Sequence, residues 1–224
     1  MEFREYADRD MLQLGLAGVL AGALTLALQQ REQVLFAVAG GETPGPVFDS
    51  LCAVALEWER VTVLPTDERW VGGDSPRSNA RMIGERLLVE RAARARFLPL
   101  HTGDPSPEEG FGKLCEAVEP LLPVSVLLLG MGADMHVASL FPGCPNLAAA
   151  LHEDAPAVLA MRPPAQPEPR VTLSAPVLNG AMSKHLLITG REKRAALDEA
   201  LRIGDPLRAP VLAVLGGMTV HWAP

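Results

Sequence analysis

Asp134 and His136 stand two residues apart where an apolar run breaks, in the stretch LLLGMGADMHVASLFPG (127–143). A neutral imidazole can take a proton near pH 7, and a neighbouring carboxylate can orient it, so an Asp-x-His at the end of a strand suits general-base chemistry. A lone histidine is more often structural, and the spacing alone leaves both readings open. Gly130-x-Gly132 invites comparison with a dinucleotide-binding loop. The third glycine of that motif is missing, however, and the Asp and His fall where a pyrophosphate needs an uncharged backbone nest.

Two further loops carry groups of the right chemistry. In AGGETPGPVF (39–48), Gly40 and Gly41 let backbone N–H groups approach an anion, and Thr43 with a helix start adds donors and a positive dipole end. That is a cradle for a phosphate, and equally a tight turn after a strand. PTDERWVGGDSPRSN (65–79) packs the carboxylates Asp67 and Glu68 with Arg69, Arg77 and the Ser78-Asn79 pair. Taken alone it reads as a solvated charged loop in which Ser78 caps the next helix.

These loops need a frame to bring them together. Apolar runs at 33–40, 60–67, 95–100, 124–130, 184–190 and 209–217 read as strands, and 78–93, 107–122 and 191–203 read as amphipathic helices. The alternation predicts an α/β fold with a mostly parallel sheet flanked by helices, in a single domain over residues 1–224. In such sheets ligands sit where the strands end, which is where all three loops fall. The Pro-rich stretch 161–170 reads as a surface loop. The segment 11–28 is long enough to cross a bilayer and contains Gly18-x-x-x-Gly22, but its flanks lack a cationic region, and a buried helix lining the sheet is the better reading.

Composition narrows the classes. The chain has 224 residues, 48% hydrophobic and 21% charged, with a formal charge of −7 and no cluster of Lys or Arg interleaved with aromatics. That argues against nucleic acid as a partner and against a membrane protein. Cys52, Cys115 and Cys144 lie far apart without CxxC spacing, which suggests neither a disulfide framework nor a zinc site and fits the cytoplasm.

Taken in order, GGETP, TDERWV with SNARM, GMGADMHVASLFPG, RVTLSAPVLNGA and LLITGREKRAAL resemble the 6-phosphogluconolactonases, a family grouped with the glucosamine-6-phosphate deaminases. The resemblance covers nearly the whole chain and implies the shared three-layer, Rossmann-like fold. It also implies hydrolysis of 6-phospho-D-glucono-1,5-lactone in the oxidative pentose phosphate pathway, without metal or organic cofactor, by a monomer whose partner is the small sugar-phosphate lactone. By resemblance His136 is the base with Asp134 beside it. Gly40, Gly41, Thr43, Arg170 and Lys193 hold the phosphate, and Asp67 and Arg69 lie close to the substrate, Arg69 on phosphate or sugar.

The chain departs from the family pattern at three places. Met135 stands where the family usually has Gly, and would be strained if that residue has a positive φ. Ala39 replaces a usual Ser, and a short closing helix is expected to be missing after Pro224. The sister deaminases carry an acid in the segment that here reads SLFPG, which leaves deaminase the weaker alternative. A non-catalytic sugar-phosphate sensor is weaker still, since both Asp134 and His136 are retained.

Overall fold

The computed structural model of the chain describes residues 1–164 and 166–224. Ten strands occur among them: β1 (Glu2–Glu5), β2 (Val34–Val38), β3 (Val61–Pro65), β4 (Asp67–Arg69), β5 (Arg96–Phe97), β6 (Val126–Gly130), β7 (Val158–Met161), β8 (Arg170–Leu173), β9 (Ser183–Thr189) and β10 (Thr219–Ala223). Seven form one sheet in the order β1-β10-β9-β6-β2-β3-β5, and β4-β8-β7 form a second, smaller one. Every pairing in the large sheet is parallel, whereas both in the small sheet are antiparallel.

The central strands β2 and β6 are apolar almost throughout because both faces are covered, as parallel sheets require. Alternate residues point to opposite cores. Val34, Phe36 and Val38 of β2 join Val126 and Leu128 of β6 in one cluster, with Leu35 and Ala37 joining Leu127 and Leu129 in the other. The first cluster is closed by α1 (Arg9–Gln30), α2 (Gly45–Leu51) and α3 (Asn79–Arg86). The second is closed by α4 (Pro107–Val118), α5 (Leu147–Leu151), α6 (Ala175–Asn179), α7 (Gly190–Ile203) and the small sheet. Three layers result.

The long apolar helix α1 lines the sheet. Asp8 caps it, accepting a 2.8 Å bond from the Met11 N–H, and Leu12, Leu16, Leu20, Leu24 and Leu28 form its buried stripe. The i, i+4 spacing of those leucines makes one inward face, while Met11, Leu14 and Leu26 remain exposed. By length and composition it could span a membrane, but its inward face forms part of the core.

Several sequence expectations need correction. The run 209–217, read as a strand, instead holds a 3-10 turn at Pro210–Ala213, and the last strand follows at Thr219–Ala223. Pro210 has no N–H to give a sheet, and Val211 turns inward to bond Met135 O at 3.1 Å. The run 60–67 divides at Thr66. Its N–H completes the β2–β3 ladder on Val38 O, its carbonyl accepts from Leu173, and the chain passes into the small sheet. The helices expected at 78–93 and 107–122 end at Arg86 and Val118; the second runs on as a 3-10 turn at Glu119–Leu121, and the first is followed after three residues by one at Glu90–Arg94. The Pro-rich stretch 161–170 joins the antiparallel strands β7 and β8, with Met161 and Arg170 in strands at its two ends; Ala165 within it lies outside the described residues.

Candidate active site

The chain leaves β2 toward α2 on one face of the sheet and leaves β6 toward the opposite face, so a crevice opens between their C-terminal ends, the usual ligand position in such sheets. A cleft of about 200 Å³ lies there, walled by Gly40, Gly41, Thr43, Asp67, Arg69, Asn79, Gly132, His136, Arg170 and Lys193 among others.

The loop after β2 is shaped by its glycines. A Cβ on Gly40 would fall 2.0 Å from the Asn79 side chain, and Gly41 has φ 82°, so each position needs glycine for a different reason. Pro44 then caps α2. Asn79, not singled out in the sequence as a site residue, is 2% exposed and donates from Nδ2 to Asp67 O at 2.8 Å.

Glu68 explains how the next loop closes. Its buried carboxylate accepts from the backbone N–H groups of Arg69, Asn79 and Ala80 at 2.7–2.8 Å and from the Ser78 hydroxyl at 3.1 Å. Burial still pushes its pKa up, partly offset by those N–H donors. It ties the end of β4 to the N-terminus of α3, where a negative charge also meets the positive end of the helix dipole. The charged-loop reading of this segment is thereby replaced: two of its charged residues face the cleft and a third is a buried clamp.

Arg69 and Arg170 are direct partners across the antiparallel β4–β8 ladder. Arg170 is 5% exposed. Its Nη1 lies 3.7 Å from Asp67 Oδ2 and its Nη2 donates to Gln166 at 2.7 Å, while Nε has no protein partner. Burial pushes the Arg170 pKa down and Asp67 opposes this. Arg69 donates from Nη1 to the Arg77 carbonyl at 2.6 Å, and its Nε too lacks a protein partner. Asp67 lines the cleft, but its carboxylate is occupied by Arg170 and by the Ser139 hydroxyl at 2.6 Å. Among described residues the cleft thus offers more donors than its carboxylates consume.

Opposite stands the loop after β6. His136 Nδ1 lies 2.5 Å from Asp134 Oδ1, which leaves Nε2 as the ring nitrogen without that partner. The His136 hydrogen bond and charge outweigh burial and hold the Asp134 carboxyl below its ordinary range. Asp134 itself stands behind the histidine rather than among the residues walling the cleft. A Cβ on Gly132 would fall 2.2 Å from His136 Nδ1 and 2.4 Å from the Asp134 carboxylate. Gly132 therefore makes room for the dyad and not, as its position first suggests, for a ligand. Met135 has φ 67°, the left-handed conformation that would make the family glycine unremarkable and this methionine strained. Phe141 stacks on the His136 ring with centroids 4.1 Å apart.

Lys193 closes the far side from the first turns of α7, its pKa lowered by burial. Apart from Asp134, every residue expected at the site borders this one cleft, although they come from positions 40 to 193. No group of three or more His, Cys, Asp or Glu suited to a metal occurs among the described residues.

The fold and the cleft define an α/β protein with a pocket lined by three cationic side chains and a carboxylate–histidine pair at the switch point of its sheet. The chain belongs to the family of glucosamine-6-phosphate isomerases and 6-phosphogluconolactonases, whose pattern matches residues 7–222. It is 40% identical over 213 residues to a 6-phosphogluconolactonase of Pseudomonas aeruginosa, covering 94% of this chain and 90% of that protein. A crystal structure of a 6-phosphogluconolactonase from Shewanella baltica matches with a TM-score of 0.96 at 31% identity, over 100% of this chain and 98% of the other. A monomeric glucosamine-6-phosphate deaminase, at 18% identity and a TM-score of 0.81 over 100% and 97% of the two chains, shares the fold.

Proposed function

We propose that this protein hydrolyses 6-phospho-D-glucono-1,5-lactone to 6-phosphogluconate, with His136 activating the water. The observation that carries the reading is that His136 shares one cleft with three cationic side chains, Arg69, Arg170 and Lys193. A sugar-phosphate lactone asks for both: a base near the ester carbon and a cationic seat for the phosphate a few bonds away. The names of its relatives favour the lactone over an aminosugar.

In this reading Asp134 accepts a hydrogen bond from the Nδ1–H and stabilises the imidazolium that forms, so that Nε2 faces water as the acceptor. The water proton passes to Nε2 as its oxygen attacks the lactone carbonyl carbon. The tetrahedral intermediate then expels the ring oxygen, which takes the proton back from the imidazolium. No redox step arises, and the ester is activated enough to need no metal. Gly40, Gly41 and Thr43 would add neutral donors to the phosphate seat, and Asp67 would act by orienting Arg170 rather than by touching an anion that it would repel.

The test is a coupled reaction in which glucose 6-phosphate is oxidised to the lactone and acid release is followed with and without the protein. Acceleration over the spontaneous rate is expected. A rate equal to the uncatalysed one, or release of ammonia from glucosamine 6-phosphate by the same preparation, would overturn the proposal.

A further inference from the structure

Three residues define the surroundings of the His136 ring. Asp134 Oδ1 meets its Nδ1 at 2.5 Å. Gly132 leaves the space beside Nδ1 and Cε1 open, where a Cβ would fall 2.2 and 2.3 Å from them. The Phe141 ring covers one face, with centroids 4.1 Å apart and planes inclined by 23°. Phe141 is 5% exposed and anchored in the larger core. The same ring carries the Arg170 guanidinium, whose Cζ is 5.3 Å from the ring centroid.

An imidazole turns freely about its last side-chain bond unless something stops it, because that torsion has broad minima. One hydrogen bond at Nδ1 fixes a point on the ring but leaves its plane able to tilt. A parallel stack restricts that tilt, and an aromatic face also attracts an imidazolium more strongly than a neutral imidazole. We infer that Phe141 is a positioning residue for the reaction: it fixes the plane of His136 so that Nε2 stays aimed into the cleft, and it sets the spacing between the base and the buried Arg170. The inference rests on the reading of His136 as the base, but its physical core, the stack and its effect on the imidazole, can be measured without any turnover.

Asp134 touches the ring from its own loop, and the charged groups that border the same cleft are Asp67 and Arg69 from β4, Arg170 from β8 and Lys193 from α7. A Phe141→Leu exchange removes none of these charges but takes the aromatic face from both His136 and Arg170, so the His136 titration is read together with the ring-current shift of the unaltered protein. Two experiments test the inference. In the unaltered protein, proton NMR should find the His136 ring protons shifted upfield by the Phe141 ring current, and ordinary shifts would overturn the stack. In Phe141→Leu the His136 titration should move to lower pH by roughly half a unit. The lactonase kcat should fall roughly three- to tenfold with KM within twofold, and Phe141→Tyr should restore both. A variant that folds and keeps the titration midpoint and kcat of the parent would overturn the inference, as would a loss confined to KM. Should Phe141→Leu fail to fold, Phe141→Met is read by the same criteria. Absence of lactonase activity in the parent, with the ring-current shift and the titration change both found, would count against the proposed function and leave the positioning of His136 by Phe141 standing.

Discussion

Arg69 and Arg170 face each other directly across the β4–β8 ladder, and both border the same cleft. Like charges directly opposite in an antiparallel pair repel, so the arrangement costs stability unless an anion lies between them. A phosphate monoester seated there would reverse the sign of the interaction. Inorganic phosphate at millimolar concentration is therefore expected to raise the melting temperature of the protein, and Arg69→Gln is expected to remove most of that rise. An equal phosphate response in the variant would place the anion elsewhere.

Lys193 supplies the third cation from the opposite wall. Lys193→Ala should raise KM for the phosphorylated lactone by the equivalent of about 1.5–3 kcal/mol, the range for a hydrogen bond to a charged group, and leave kcat nearly unchanged. Hydrolysis of gluconolactone without a phosphate should be indifferent to the exchange. Equal losses on both substrates would contradict the phosphate role.

Met135 holds φ 67° between the two members of the dyad, and its carbonyl accepts from Val211. Met and Ile fill similar volumes, but a β-branched residue tolerates the left-handed conformation far less well. Met135→Ile should destabilise the fold by about 1–3 kcal/mol in urea denaturation. Met135→Gly should stay within about 1 kcal/mol, because relief of strain opposes the entropy of glycine and the lost side-chain contact. Equal stability of Met and Ile at this position would mean that the backbone is not held there in solution.

Away from the cleft, on the α1 side of the sheet, Tyr6 Oη meets His221 Nδ1 at 2.9 Å, His221 Nε2 meets His185 Nδ1 at 3.1 Å, and His185 Nε2 meets the Ser183 hydroxyl at 2.9 Å. Burial lowers the pKa of His185 from 6.5 to about 4 and, with the neighbouring His185, that of His221 to about 3. Both are bases that stay neutral when folded, while the unfolded chain binds a proton at each below about 6.5. Their contribution to stability is complete above that pH and is lost as the pH falls from 6.5 toward 4 and 3. Urea midpoints measured from pH 7 to 4 should therefore fall, and fall less steeply in a His185→Leu/His221→Phe double variant. Parallel slopes would remove the pair from the acid response.

The parts of the fold that were legible in the sequence are those where burial is uniform. β2 and β6 are covered on both faces and read as unbroken apolar runs, and α7 shows its amphipathic period and its Gly204 stop. β10 was hidden because TVHWA carries a buried histidine whose partners, Tyr6 and His185, are remote in sequence. The apolar run before it imitates a strand because many of its side chains are equally buried in and around a 3-10 turn. The short strands β4 and β8 are masked for the opposite reason: their arginines and acids look solvated until the fold places them around a cleft. Residue type and spacing made the dyad and the glycine loop candidates but left a structural histidine and a plain turn open, and the family resemblance is what pointed to them as a site. Asn79, Glu68, Ser139 and Phe141 could not be singled out, since a buried amide, a clamp carboxylate, a hydroxyl on Asp67 and a stacked ring acquire meaning only through contacts 10 to about 70 residues away, or through the orientation of a neighbour.

The central claim is that His136, poised by Asp134 at the mouth of a phosphate-binding cleft, is the base that hydrolyses the lactone. Its most direct test is the steady-state rate of His136→Ala against the parent on freshly generated 6-phosphogluconolactone, after subtraction of spontaneous hydrolysis. The account predicts a kcat lower by roughly 10² to 10⁴ with KM little changed, the signature of a lost general base beside an intact phosphate seat. An unaltered kcat, or a loss carried by KM alone, would contradict it.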